Sequence, residues 1–314
     1  MLGRFAAASL LTALLPVSSV ADGGSWAPAP AMRDGHAAHA VVVAGGSILA
    51  LGGTGTNGAP VSSVERFDGR RWRLETRLPV SGGLNATAAA AIGSRAYVIG
   101  GFEGTGNMPS ALVHVYDLAT RAWSQAAPLP SPRGGHAAVV LAGRIHVLGG
   151  GNSVSTLAYH SVYDPEADRW TRAAPLRRPK GSPAAVVLRG RIYAIGGRSG
   201  YTDFGDLEIY DPTADRWTRG PSIPPRGAAG AAVYRRSIYV FGGESQAAGR
   251  TLADVLRLPP GAQAWTKAPP MPTPRAFARA VTFRGAVYVV GGSRLTASSH
   301  AAPGLRVVER LNLP

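Results

Sequence analysis

Short apolar runs recur along the chain at 48–51, 96–99, 145–148, 192–195, 238–241 and 287–290, and each ends in two glycines. The pairs are Gly52-Gly53, Gly100-Gly101, Gly149-Gly150, Gly196-Gly197, Gly242-Gly243 and Gly291-Gly292, spaced by 48, 49, 47, 46 and 49 residues. A fixed period of this length marks a repeated supersecondary unit. Before each run stands an Ala/Val-rich segment, such as 137–141 or 184–188, separated from it by a turn that often carries glycine (Gly93, Gly143, Gly190, Gly285). Continuous apolar runs bounded by such turns predict buried strands joined as tight hairpins. A third strand follows each diglycine after a polar loop, as at 113–116, 160–163 and 207–210, and a tryptophan then opens a fourth. Four antiparallel strands per period predict one blade of a propeller.

The tryptophans check this count. Trp26, Trp72, Trp123, Trp170, Trp217 and Trp265 each precede a Met, Leu or Ile by six residues (Met32, Leu78, Leu129, Leu176, Ile223, Met271). They read as core aromatics rather than ligand platforms. Trp26 stands ahead of the first diglycine, while the last period ends with only three strands. The N-terminal segment is therefore expected to complete the sixth blade, which removes an open sheet edge.

The diglycines, Tyr163-Asp164-Pro165, Tyr210-Asp211-Pro212, the spaced tryptophans and the Pro-Arg pairs at 132–133, 225–226 and 274–275 resemble the kelch family of β-propellers. The resemblance covers about residues 22 to 314. It departs at Phe67, Leu258 and Leu311, which replace the tyrosine, and at Leu84, which replaces the arginine. The expected fold is all-β, a single six-bladed kelch propeller over 22–314. Its blades lie at about 33–78, 79–129, 130–176, 177–223, 224–271, and 272–314 plus 22–32.

Residues 1–21 read as a secretory signal peptide, with Arg4, an apolar stretch over 5–15 and a small-x-small site at Ser19-Val20-Ala21. Export places the mature chain in a periplasmic or extracellular setting. No later segment is apolar enough for a transmembrane span. The chain has no cysteine, so its stability rests on its core. The formal charge is +15, carried almost entirely by arginine, since Lys180 and Lys267 are the only lysines. Such charge attracts polyanions. However, the arginines are dispersed over all periods, without an aromatic-basic stripe, which argues against nucleic acid. An acidic glycan, sugar or protein segment is the expected partner, and a monomer the expected state.

In a four-stranded blade, the loop leading into strand one and the loop between strands two and three share a face, and both converge on the channel. Sixteen residues before each diglycine stand His36, Leu84, Arg133, Lys180, Arg226 and Arg275. Directly after it stand Thr54, Phe102, Gly151, Arg198, Glu244 and Ser293. Cations beside Phe102, Tyr201, Phe204 and Phe277 suit a carboxylated or hydroxylated ligand, through forked hydrogen bonds and stacking. The ligand-binding set is thus His36, Phe102, Arg133, Lys180, Arg198, Tyr201, Phe204, Arg226 and Arg275. The competing reading has the arginines cap blade loops and bond backbone carbonyls.

No cofactor is expected. For a metal, His36 and His39 are three apart, which on a regular strand points them to opposite faces, and His136 lies two blades away. The copper-radical alcohol oxidases of kelch fold use a cysteine-modified tyrosine, which this chain cannot supply. The main expectation is a binding module for carbohydrate or protein. The alternative is a sugar mutarotase or epimerase of the N-acetylneuraminate type. Exported sialic acid mutarotases that resemble this chain pair a glutamate after a blade's glycine with an arginine six residues on, and Glu244 and Arg250 have that spacing. One carboxylate and one cation could shuttle the proton.

Overall fold

The computed structural model describes residues 23–296 and 302–314, in which all regular structure is β. The signal-peptide reading falls outside the described residues. Six antiparallel blades follow one another along the chain; five are four-stranded, and blade two carries an additional two-residue strand, Leu84–Asn85. In blade one the strands are Ala40–Ala44, Ser47–Leu51, Ser63–Phe67 and Trp72–Arg77, innermost to outermost. The first strands of all six blades touch their neighbours in a closed ring around a central channel.

The ring closes as the tryptophan count requires. Ser25–Pro28 is the outer strand of blade six, antiparallel to Val308–Asn312, with Trp26 opposite Leu311. Each blade interface holds its own apolar cluster; that between blades six and one joins Met32, Ile48, Phe67 and Trp72 to Tyr288 and Val290. Five of the six tryptophans, all but Trp72, also staple blades through their indole N–H. Trp26 donates to the Pro269 carbonyl at 2.9 Å, Trp170 to Ala127 at 2.7 Å and Trp217 to Ala174 at 2.8 Å.

The diglycines have a shared physical cause. Both glycines of every pair adopt positive φ, a region that L side chains rarely enter. The first glycine packs on the next blade: a Cβ on Gly149 would lie 2.3 Å from the Lys180 carbonyl oxygen, and one on Gly291 would lie 2.3 Å from that of His36. The second donates its N–H to the same carbonyl, as Gly150 to Lys180 at 3.0 Å and Gly292 to His36 at 2.7 Å. The residue at the cation position thus anchors an interblade hydrogen bond through its backbone.

One further device organises the channel mouth. Ala38, Ala86, Gly135, Ser182, Ala228 and Phe277, equivalent in the six blades, all have φ between 48° and 62°. Each donates its N–H to its counterpart in the preceding blade at 2.6–3.2 Å, and the sixth link, Ala38 to Phe277, closes the circle. This ring of backbone hydrogen bonds constricts the channel on the loop face.

Candidate functional site

Five of the sequence-chosen cations are corrected by their surroundings. His36, Arg133, Lys180 and Arg275 are fully buried and Arg226 is 1% exposed, so none presents a ligand surface. Each turns inward to the third strand of its own blade. His36 meets Glu65 at 3.1 Å, Lys180 meets Glu208 at 2.8 Å and Asp206 at 2.5 Å, Arg226 meets Asp254 at 2.7 Å, and Arg275 meets Glu309 at 2.6 Å. Arg226 and Arg275 also donate to the Gly242 and Val289 carbonyls. Arg133 has Ser161 where its counterparts have an acid, and burial lowers its pKa to about 10. The repeat carried the signal for these partners: Glu65, Glu208 and Glu309 each stand two residues before the aromatic or leucine of strand three. Burial alone would raise the Glu65 carboxyl, but hydrogen bonds from His36 and the Arg33 and Asp34 amides outweigh it and hold Glu65 below the usual range. Burying a charge is costly unless it is paired in this manner.

The Glu244–Arg250 pair is also divided. They flank a short two-stranded hairpin in which Ser245 opposes Arg250 and Glu244 opposes Thr251. Cross-strand partners point to one side and adjacent residues to opposite sides, so Glu244 and Arg250 lie on opposite faces of the ladder. Accordingly Glu244 is fully buried and Arg250 is exposed. Glu244 is salt-bridged instead to Arg198 of the neighbouring blade. The Arg198 guanidinium also lies 5.6 Å from the centre of the Phe277 ring, which is buried in the mouth. Asp203 opposes Arg198 in its hairpin; burial raises its carboxyl, against the Gln246 amide that bonds it at 2.6 Å and the charge of Arg198.

His36 and His39 are closer than strand alternation implies, with ring centroids 5.7 Å apart. Ala38, at φ 49°, breaks the extended geometry between them. Among the described residues no three His, Asp or Glu side chains form a metal-holding group. No helix there is long and apolar enough to cross a membrane. The tripeptide Asn85-Ala86-Thr87 has the Asn-x-Thr form of a glycosylation acceptor, but Asn85 is 1% exposed and so closed to modification.

What the loop face does present is a groove of about 840 Å³ across blades two, three and four. Its floor is backbone at Gly134, Gly135, Gly151 and Gly181. Its walls include Phe102, Asn107, Thr156, Arg198 and Ser199. Phe102 lies on Gly134 so closely that a Cβ there would meet its ring at 2.4 Å. The loop after Gly150 is held in shape by Asn152, whose side-chain oxygen accepts from the Val154 and Ser155 amides at 2.9 Å. Three successive loops raise apolar side chains into solvent nearby: Met108 is 66% exposed, Val154 92% and Tyr201 78%. Of the proposed contacts, Phe102 and Arg198 line the groove, and Tyr201 follows Gly200 on its edge. Phe204 stands apart, covered by the Arg178 guanidinium at 4.6 Å.

Comparison with known proteins agrees with the repeat. Over 128 residues the chain is 36% identical to Kelch-like protein 34 of Homo sapiens, a match covering 38% of this chain and 19% of that one. It is 27% identical over 126 residues to Kelch-like protein 35 of Mus musculus, covering 40% and 21%. The matches thus span about a fifth of the length of these relatives. Among solved structures, YjhT superposes with a TM-score of 0.74 at 15% identity, covering 88% of this chain and 94% of that one, a likeness of fold. The model of the Attractin/LZTR1 beta-propeller matches residues 96–304. The chain belongs to this family of kelch-type β-propellers.

Proposed function

We propose that the chain is a binding module that holds an extended protein segment in the groove over blades two to four. The observation that carries this reading is the groove itself, with a floor of glycine backbone and exposed Met108, Val154 and Tyr201 on three consecutive loops. A glycine floor lets a ligand main chain approach closely, and exposed apolar side chains around a polar cleft mark an interaction surface. Asn107 and Ser199 supply polar contacts on the walls. The buried cations serve the scaffold, and export to the periplasm or medium remains part of the proposal.

The test is selection of peptides from a random display library on the full-length chain, beside a glycan array. Selected peptides should lose at least about tenfold in affinity with Val154→Glu or Tyr201→Ala, as truncation of an exposed aromatic anchor does. Undiminished peptide binding in both variants and in the groove-filling Ser155→Trp refutes the groove. Binding to glycans alone refutes the protein segment.

A further inference from the structure

Beneath the hydrogen-bonded ring the channel holds a space of about 100 Å³, bordered by all six blades. At the first position of the six innermost strands stand Ala40, Ala88, Ala137, Ala184, Gly230 and Arg279. Five blades place a residue with at most a methyl group at this level, and the sixth places an arginine. Arg279 lines the cavity, and no Asp, Glu or Lys does. Its hydrogen bond within the protein is a long one, from Nη1 to the Ala278 carbonyl at 3.4 Å, although a guanidinium carries five donors.

Burial lowers Arg279 to about 10, so it is still charged at neutral pH. The other titratable side chain on the cavity wall is His136, which burial and the charges of Arg133 and Arg279 lower to about 3. His39, close enough to feel Arg279, is likewise held well below its ordinary value by burial and by the charges of His36 and Arg279. Both imidazoles are neutral, and one unneutralised positive charge lies in the channel. At the equivalent mouth positions the fold pairs Lys180, Arg226 and Arg275 with carboxylates, whereas Arg133 is given Ser161. Arg279 is half-buried at the channel wall; a cation with reduced hydration and no counter-charge is costly, and a small anion relieves that cost.

We infer that the channel is a binding site for a small monovalent planar oxyanion, of the formate or bicarbonate class, held by the Arg279 guanidinium. The space exceeds the ~10–15 Å³ that one water needs, and suits an ion of a few heavy atoms. The guanidinium fork matches two coplanar oxygens. Access is from the side opposite the loop face, since the backbone ring constricts the other mouth. There the channel widens to about 350 Å³ between residues such as Val43, Val140, Val187 and Thr282. The site is separate from the groove, and the partner proposed for the groove has no part in it.

The experiment is thermal unfolding of the full-length chain in anion-poor buffer with sodium formate or sodium chloride at matched ionic strength, together with carbon-13 NMR of labelled formate. Wild-type protein should gain about 2 °C or more with formate, saturating with concentration, and should broaden the formate line. Arg279→Ala introduces the residue that four other blades carry, and Arg279→Met keeps the length without the charge. Both should lose the formate response, and Arg279→Ala should melt above wild type in the anion-poor buffer. An equal formate response in wild type and the folded variants overturns the site, as does no response in wild type. A chloride response equal to that of formate overturns the planar-oxyanion assignment.

Discussion

Acidification should destabilise this protein through its buried histidines before the carboxylates titrate. His146 Nδ1 and His160 Nε2 lie 2.8 Å apart beneath Tyr210 of the next blade, and both rings are almost completely buried. Burial lowers each to about 4 from an ordinary 6.5, with smaller contributions from Arg144 on His146 and from His146 on His160. A histidine with depressed folded-state pKa binds its proton in the unfolded chain first. Stability is therefore unaffected above 6.5 and falls as pH drops from 6.5 toward 4. At about pH 5 each contributes a loss of about 2 kcal/mol, or about 4 kcal/mol for the pair, a large part of a typical domain's 5–15 kcal/mol. The assay is urea unfolding between pH 7.5 and 5. In wild type the midpoint should hold down to about pH 6.5 and fall steadily below it. The double variant His146→Leu/His160→Leu should show a slope shallower by close to two protons. An unchanged slope in the folded double variant would refute the reasoning, because it would mean that the two imidazoles titrate normally.

Two further perturbations probe the scaffold. Trp26→Ala removes the edge-on contact with Phe241 at 6.2 Å and the bond to Pro269, and should cost about 2 kcal/mol, below the fully buried range because Trp26 is half-buried; deleting residues 1–28 should also broaden the calorimetric transition, and a sharp melt at the wild-type temperature would contradict closure by this strand. Arg275→Met strands Glu309 in the interior and should cost about 3–5 kcal/mol in chemical unfolding, whereas Arg275→Met/Glu309→Leu should recover most of it; equal losses would argue against the ion pair.

The architecture was legible because its constraints fall on residue types with few substitutes. Paired glycines at positive φ against a neighbour's carbonyl, and indoles reaching the preceding blade, leave a strict period in the chain. The same period located the cations, but the sequence-based choice placed them on the ligand face. Their burial depends on acids about 28 residues later in strand three, which have to be read together with them: Glu208 with Lys180, Asp254 with Arg226. Blade two fits this rule, since Leu84 lacks a charge and His114 stands where the acid would be. The groove was only partly legible. Phe102, Arg198 and Tyr201 were singled out, but the shape between them comes from loop turns such as that held by Asn152, which obey no repeat. Arg279 was visible as the single cation in a column of alanines and glycine, once the six periods are aligned twelve residues before each diglycine.

The most direct measurement of the functional claim is hydrogen–deuterium exchange of the full-length chain with and without a selected peptide. Binding in the groove predicts slowed exchange in the loops over 102–109, 151–156 and 198–202, with the strand-one turns at 142–143 and 189–190 unchanged. Protection centred on those turns, or on blades five and six, would contradict the account.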